Sequence, residues 1–416
     1  MSNPLFSIVI PTRNRLDALK HTLRTVLLQE HESFELVIAV NDCKDGTIDY
    51  LEAIADPRLR MTISDRPLSM HENFQRGLEA ARGDYLIFIG DDDLLTPGAL
   101  RLLDAVLQAT DADIINWTEP YLLWPVDGAT CGQLTFRNSA FYGPVRAFDP
   151  QANLEKFLSG SCQSTRTGAD VYHGLVRRSY IEKVQEKLGF PYFYGLIPDL
   201  FVGLINLVHC RKIYHLEHAC SVFGAHQYST GHAMFGGQRK EQSRTESQKK
   251  ALDELYRHLG KDFHFSSIYR AEVPGACILG SLLDCARLGL FEEEKIAQSR
   301  HLETIARQLV GDTEAKKEQF VRYIEAHCDD PAPYHDLINS APRKPRKKRK
   351  NALKFTTITT AKATSNSAAA YEFIKNNISL PANIRVTEKR GSYHWNLSPL
   401  LHRLLSITKI NFGLGR

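Results

Sequence analysis

The chain reads as an α/β protein, a mostly parallel sheet flanked by helices and followed by an α-helical C-terminal module. Three observations predict this. Short apolar runs alternate with amphipathic stretches through the first 120 residues, the rhythm of βαβ units. Polar clusters stand where successive strands should end, at Pro11-Thr12-Arg13-Asn14, Asn41-Asp42 and Asp91-Asp92-Asp93. Strand signal fades from about Gly237, where apolar residues recur at helical spacing instead.

Phe6–Ile10 is the first expected strand, and Leu16, Leu19, Leu23 and Val26 mark the helix after it. A second strand spans Leu36–Val40, and Thr47 is placed to cap a helix carrying Ile48, Leu51 and Ile54. After the short run 60–63, Ser69 and Glu72 have capping-box spacing, so a helix is expected over 70–81. Strand 85–89 leads into the three aspartates. Thr96 and Pro97 fit the cap and first turn of a helix bearing Leu100, Leu103 and Leu107, and a further strand covers 113–117.

Proline and glycine interrupt residues 118 to 170, which read as a meandering insertion. Order returns with strand 171–176, then a helix opened by a Ser179/Glu182 capping box and stopped by Gly189. Pro198-Asp199 opens another. Beyond Gly237 the pattern predicts helices over 251–259, 277–288, 292–309 and 314–326. The divisions expected are therefore 1–236 for the α/β domain, 237–340 for the helical module, 341–370 for a basic and Ser/Thr/Ala-rich linker, and 371–416 for an amphipathic C-terminal segment with Leu400, Leu401, Leu404 and Leu405.

With 416 residues, a net charge of +4 and no apolar run long enough to span a bilayer, the chain reads as a soluble cytoplasmic protein. Its eight cysteines show no paired C-x-x-C spacing, so they read as reduced core residues rather than zinc ligands. Arg343 to Lys350 packs seven cations into eight positions. That run is read as peripheral contact with anionic lipid on the inner face of the membrane, with nucleic acid the less favoured partner and a solvated linker the plain alternative.

Three adjacent carboxylates on a strand-to-helix turn repel one another unless a cation or several N–H donors compensate. Two readings are open: a divalent metal site, or a solvated turn whose acid caps a helix. A glycine-rich phosphate loop is missing after the first strand, which argues against a Rossmann dehydrogenase and a sugar-phosphate nucleotidyltransferase.

Taken together, Ser7-Ile8-Val9-Ile10-Pro11-Thr12-Arg13-Asn14, Phe34 to Asp42 and Ala81 to Asp93 resemble the family-2 glycosyltransferases of the GT-A fold, a Rossmann-related architecture. The resemblance covers roughly residues 5 to 230 and is strongest to residue 110. It implies an inverting transfer from a nucleoside diphosphate sugar, a UDP-sugar by preference, helped by Mn²⁺ or Mg²⁺. It assigns donor binding to Pro11, Thr12, Arg13, Asn14 and Asp42, with Asn73 and Arg82 as supporting or diphosphate residues. The family's acidic motif, Asp-x-Asp-Asp ahead of a proline, aligns through Pro97 with Gly90 in the first place, Asp91 in the second and Asp92 and Asp93 in the last two. Asp92 is then the first candidate metal ligand and also a donor-binding residue, with Asp91 or Asp93 contacting ribose or metal-bound water and His226 completing the metal or diphosphate site.

The resemblance also implies a catalytic base at the start of a late helix, which points to Asp199; Pro198 stands there where the family often has an acid. The acceptor implied is a saccharide or lipid-linked saccharide of surface polysaccharide or glycoconjugate biosynthesis, and the helical module is a candidate oligomer interface. A catalytically silent nucleotide-sugar-binding or scaffold protein is the alternative.

Overall fold

The structure, a computed structural model, describes residues 5–125, 132–136, 143–162, 164–226, 267–340, 366–378 and 386–387. The expected helix over 251–259, the basic run and the leucines at 400–405 lie outside the described residues.

Strands β1 (Phe6–Thr12), β2 (Phe34–Asn41), β3 (Leu59–Ser64) and β4 (Tyr85–Phe88) pair in parallel in the order β3-β2-β1-β4. The crossovers are α1 (Leu16–Leu27), α2 (Thr47–Glu52) and α3 (Met70–Ala80). The sheet then continues through β10 (Gly174–Arg177), antiparallel to both neighbours, to β6 (Ile114–Trp117), β11 (Ile213–Leu216), β9 (Val145–Ala147) and a two-residue edge strand, β13 (Val386–Thr387). All the described parallel strands of the first half end on one side, where Thr12, Asn41 and the Asp91–Asp93 turn come together.

Alternation along β1 divides the core. Phe6, Ile8 and Ile10 pack with α1 (Leu19, Leu23, Val26) and with α4 (Ala99–Ala109), whereas Val9 faces α3 on the other side. That second face carries Phe74 stacked on Phe88 with ring centroids 5.6 Å apart, then α7 (Pro198–His209), and beyond it α8 (Pro274–Arg287). Eleven residues of α8 are buried, so its apolar surface extends around the whole helix. With α9 (Gln298–Leu309), α10 (Glu314–His327) and α11 (Ala332–Ile338) it shares one continuous core with the sheet.

A second sheet, in the order β5 (Leu94–Leu95), β12 (Ser221–Ala225), β7 (Tyr121–Leu123), β8 (Gln133–Thr135), covers the far side of the acidic turn. Its core is Leu94, Leu122, Trp124, Leu134 and Val222, and helix α12 (Ser367–Asn377) closes it with Ala370 and Ile374. The expected linker boundary at 370 therefore falls inside a helix. Among the described residues no helix is long and apolar enough to cross a membrane.

The capping box at Ser69 forms as its spacing predicts, with Ser69 Oγ accepting from Glu72 N and Glu72 Oε2 accepting from Ser69 N. Three other expected caps do not form. Gly46, at φ 80°, is the residue before α2, so Thr47 starts the helix instead of capping it. Gly98 takes the same role before α4, because Thr96 spends its hydroxyl on Ala219 O and the chain first adds strand β5. Ser179 is the second residue of α6 (Arg178–Leu188) and gives no cap bond, although Gly189 stops that helix in the left-handed conformation as expected. The stretch 292–309 splits into a short 3₁₀ turn, Glu293–Lys295, and α9.

Candidate donor site

The parallel strands deliver Asp91, Asp92 and Asp93 to one turn, yet all three are at most 3 % exposed. A solvated turn is thereby excluded. Their partners divide them sharply.

Asp93 is held from within. Its Oδ1 accepts from Gly224 N at 2.6 Å, and its Oδ2 accepts from Tyr172 Oη at 2.8 Å and from Gly90 N. His173 Nε2 stands 3.0 Å from Asp93 Oδ2 without hydrogen-bond alignment. Burial alone would raise this carboxyl, but His173 and the amides outweigh it and hold Asp93 below the ordinary range. Asp93, expected beside a metal, is bonded by the protein at both carboxylate oxygens and so anchors the turn.

Beyond His173, the Nδ1 atom lies 2.7 Å from Ser221 Oγ, which accepts from Trp117 Nε1 at 2.8 Å. The order Asp–His–Ser imitates a nucleophilic triad. With His173 and Ser221 fully buried and the serine oxygen already bonded by the indole, it acts as a brace between β6, β10 and β12.

Asp91 and Asp92 face the other way, toward the β1–α1 loop. Thr12 Oγ1 donates to Asp91 Oδ2 at 2.7 Å, and Arg15 bridges the pair, Nη1 to Asp91 Oδ1 at 2.7 Å and Nη2 to Asp92 Oδ2 at 2.9 Å. His226 N donates to the same Asp92 oxygen at 3.1 Å, with the His226 ring edge-on to Trp124. Burial, only partly offset by Arg15 and reinforced by the neighbouring acids, pushes Asp92 up to about 7 and raises Asp91. A buried all-oxygen pair that is short of positive charge has donor chemistry fitting Mg²⁺ or Mn²⁺. Among the described residues no group of three His, Cys, Asp or Glu side chains is arranged to hold a metal.

Two glycines are required by close approach. A Cβ at Gly90 would lie 2.6 Å from the Tyr172 hydroxyl, so the first place of the acidic motif has no room for a side chain. At Gly224 it would stand 1.8 Å from the Asp92 carbonyl.

The remaining candidates sort by position. Asn14, at φ 51°, ties the loop to the next one by accepting from Lys44 N at 2.7 Å. Asp42 follows β2 at φ 47° with Lys44 Nζ 2.7 Å from its carboxylate, while Asn41 clips Leu68 from both sides of its amide. Pro11 and Arg13 flank Thr12, the last residue of β1, from the strand and from the loop. Asn73 has its amide buried between α3 and β2, where it donates to Ala39 O at 3.0 Å and ties the two elements. Arg82 precedes β4 whereas the acids follow it, so the four-residue strand lies between them.

Asp199 is the second residue of α7, behind Pro198. Burial raises its carboxyl, opposed by Arg166 and the first amides of the helix. Tyr172, bonded to Asp93, is within electrostatic reach of Asp92 and Asp199 as well, so the acidic turn and the candidate base share a neighbour. Arg166 holds this side together through Glu119 Oε1 at 3.2 Å and Tyr172 O at 2.8 Å.

Sequence reasoning missed Arg15, Thr22, Tyr172, His173, Trp124 and Ser367. Thr22 Oγ1 lies 2.9 Å from Asp91 O and 2.7 Å from Asp93 O, and nothing in helical periodicity distinguishes such a threonine from packing. For Arg15 a signal existed, a cation one residue past Asn14 on the loop that faces the acids.

Residues 7–118 match the family model for glycosyl transferase family 2. A putative colanic acid biosynthesis glycosyl transferase of Escherichia coli K12, WcaA, is 32 % identical over 110 residues, 26 % of this chain and 39 % of that protein. Succinoglycan biosynthesis protein ExoO of Rhizobium meliloti is 31 % identical over 112 residues, 27 % of this chain and 32 % of the relative. The chain thus spans less than half the length of these curated relatives. Among solved structures, Staphylococcus aureus TarS 1–349 in complex with UDP-GlcNAc superposes with a TM-score of 0.46 and 14 % identity, over 80 % of this chain and 90 % of that one. The segment from Ser7 to Thr118, which carries the β1 loop, Arg15 and the acidic turn, is a glycosyl transferase family 2 domain.

Proposed function

We propose that the protein is a metal-dependent, inverting glycosyltransferase that moves a sugar from a nucleoside diphosphate, UDP by preference, to a hydroxyl of a saccharide or lipid-linked saccharide in surface polysaccharide biosynthesis. The observation that carries this reading is the convergence of Thr12, Arg15, Asp91 and Asp92 at the carboxyl ends of β1 and β4, where open parallel sheets bind nucleotides. The names of the colanic acid and succinoglycan relatives support the polysaccharide setting.

In this reading Asp91 and the Pro11–Asn14 loop hold the ribose side of the donor, Asp42 the base side, and Asp92 holds Mg²⁺ or Mn²⁺. The ion supplies Lewis-acid stabilisation of the charge that grows on the diphosphate as the sugar leaves. Asp199 accepts the acceptor hydroxyl proton from the opposite face of the sugar. Its raised pKa suits that work, because a stronger base takes the proton more readily. Cytoplasmic residence at the inner membrane face, through 343–350, belongs to the same proposal.

The test is transfer and hydrolysis from a panel of UDP-, GDP- and dTDP-sugars with Mn²⁺ or Mg²⁺. Asp92→Ala is expected to abolish metal-dependent nucleotide binding. Asp199→Asn should keep that binding and lower kcat by about 10²- to 10⁴-fold. A wild-type protein that binds no nucleoside diphosphate with either metal overturns the reading.

A further inference from the structure

The carbonyl of Asp92 is bonded by two side chains from remote parts of the chain. Trp124 Nε1 donates at 2.9 Å and Ser367 Oγ at 3.0 Å, the latter 275 residues away in sequence. A carbonyl oxygen has two lone pairs, so these bonds use both. Gly224 shuts the approach beside them, since a Cβ there would overlap the same oxygen. The peptide joining Asp92 to Asp93 is therefore fixed in orientation, and with it the direction in which each aspartate leaves the backbone.

Ser367 is held firmly. It is the first residue of α12, fully buried, and the helix is capped by Asn366 Oδ1 accepting from Ala369 N at 2.9 Å. Ala370 and Ile374, on the same face, sink into the core that contains Leu94 and Trp124, and the helix packs on α1 and β5. The hydroxyl is thus delivered by a docked helix and not by a loop that happens to pass.

We propose that Ser367, delivered by α12, is a positioning residue for Asp92. It acts by locking the 92–93 peptide so that the Asp92 carboxylate faces the β1 loop while the Asp93 carboxylate faces inward. Removing the hydroxyl leaves Trp124 as the single donor, and the peptide gains rotational freedom that the carboxylate inherits. The functional consequence rests on the reading of Asp92 as the group serving a nucleoside diphosphate; the orienting role does not.

The full chain is compared as wild type, Ser367→Ala, and an Ile374→Val control that loosens α12 while keeping the hydroxyl. Hydrogen exchange is followed at Gly224 and His226, whose amides bond the Asp93 and Asp92 carboxylates. UDP affinity with Mn²⁺ is measured alongside by calorimetry, and melting temperature by scanning calorimetry. Ser367→Ala is expected to speed exchange at both amides and weaken UDP by about three- to tenfold, the loss of one net hydrogen bond. The Ile374→Val control should lower the melting temperature and leave exchange and affinity near wild type. Unchanged exchange in Ser367→Ala, or equal effects in the control, overturns the proposal. If the wild type binds no nucleotide, the functional reading falls and the exchange comparison still decides the positioning role.

Discussion

Arg15 Nη1 lies 2.7 Å from Asp91 Oδ1, so the β1–α1 loop carries the counter-cation of a buried carboxylate 76 residues downstream. Burial would lower the guanidinium, but Asp91 and Asp92 more than reverse this and keep it charged. Arg15→Gln leaves two buried acids without that charge. Such a break costs about 3–5 kcal/mol, read as a lowered urea midpoint. Mn²⁺ is expected to restore the midpoint of the variant more than it raises that of the wild type, because ligand binding to the folded state adds stability. Equal shifts in the two proteins would show that the cation enters elsewhere.

Asp92 and Asp93 are adjacent and opposite in role. Asp93→Asn turns an acceptor facing Gly224 N and Gly90 N into an amide and removes the partner of His173; a destabilisation of about 2–4 kcal/mol is expected, with loss of nucleotide binding as a secondary result. Asp92→Asn removes a charge that burial already disfavours, so its melting temperature should stay close to wild type while Mn²⁺-dependent UDP binding disappears. Calorimetric unfolding and titration on both variants separate the two roles.

The contact between Gly90 and Tyr172 predicts a coupled pair. Gly90→Ala forces a methyl against the tyrosine hydroxyl and should cost about 1–3 kcal/mol. Tyr172→Phe loses the Asp93 bond by itself but makes room. The double variant is expected to be less destabilised than the sum of the singles, by about 1 kcal/mol in a double-mutant cycle.

Far from the site, Glu35 sets an acid limit. Burial tends to raise its carboxyl, but Ser7 Oγ at 2.6 Å, the Arg82 amide and Arg60 Nη1 at 2.9 Å hold it below the ordinary value. A depressed folded pKa means that the unfolded chain binds the proton first. The contribution is complete above the unfolded pKa of about 4.3 and is lost as pH falls through the folded value. Unfolding free energies between pH 6 and pH 3 should therefore fall less steeply for Glu35→Gln than for the wild type.

The first half of the sheet was legible because its strands are apolar runs broken at regular intervals, and β1, β2 and β4 appear within a residue or two of expectation. Caps were less so. Ser69 worked since its partner is three residues away, whereas Thr96 found Ala219, a contact that only the tertiary structure creates. The antiparallel strand β10 was read as a strand without its direction, and that direction is what brings Tyr172 and His173 under the acids. In the candidate site, the three aspartates were visible and their division of labour was not. It depends on Gly224, Tyr172 and Ser367, which no local pattern connects to residue 93 or 92.

The seat of α12 has a consequence for biosynthesis. Residues 12, 15, 91 and 92 leave the ribosome before the hydroxyl that completes the Asp92 peptide, which follows Asp92 by 275 residues. At roughly 5–20 residues per second that interval is on the order of tens of seconds. A nascent chain would carry its β1 loop and acidic turn long before α12 arrives, so the centre matures only when nearly all of this sequence has been made.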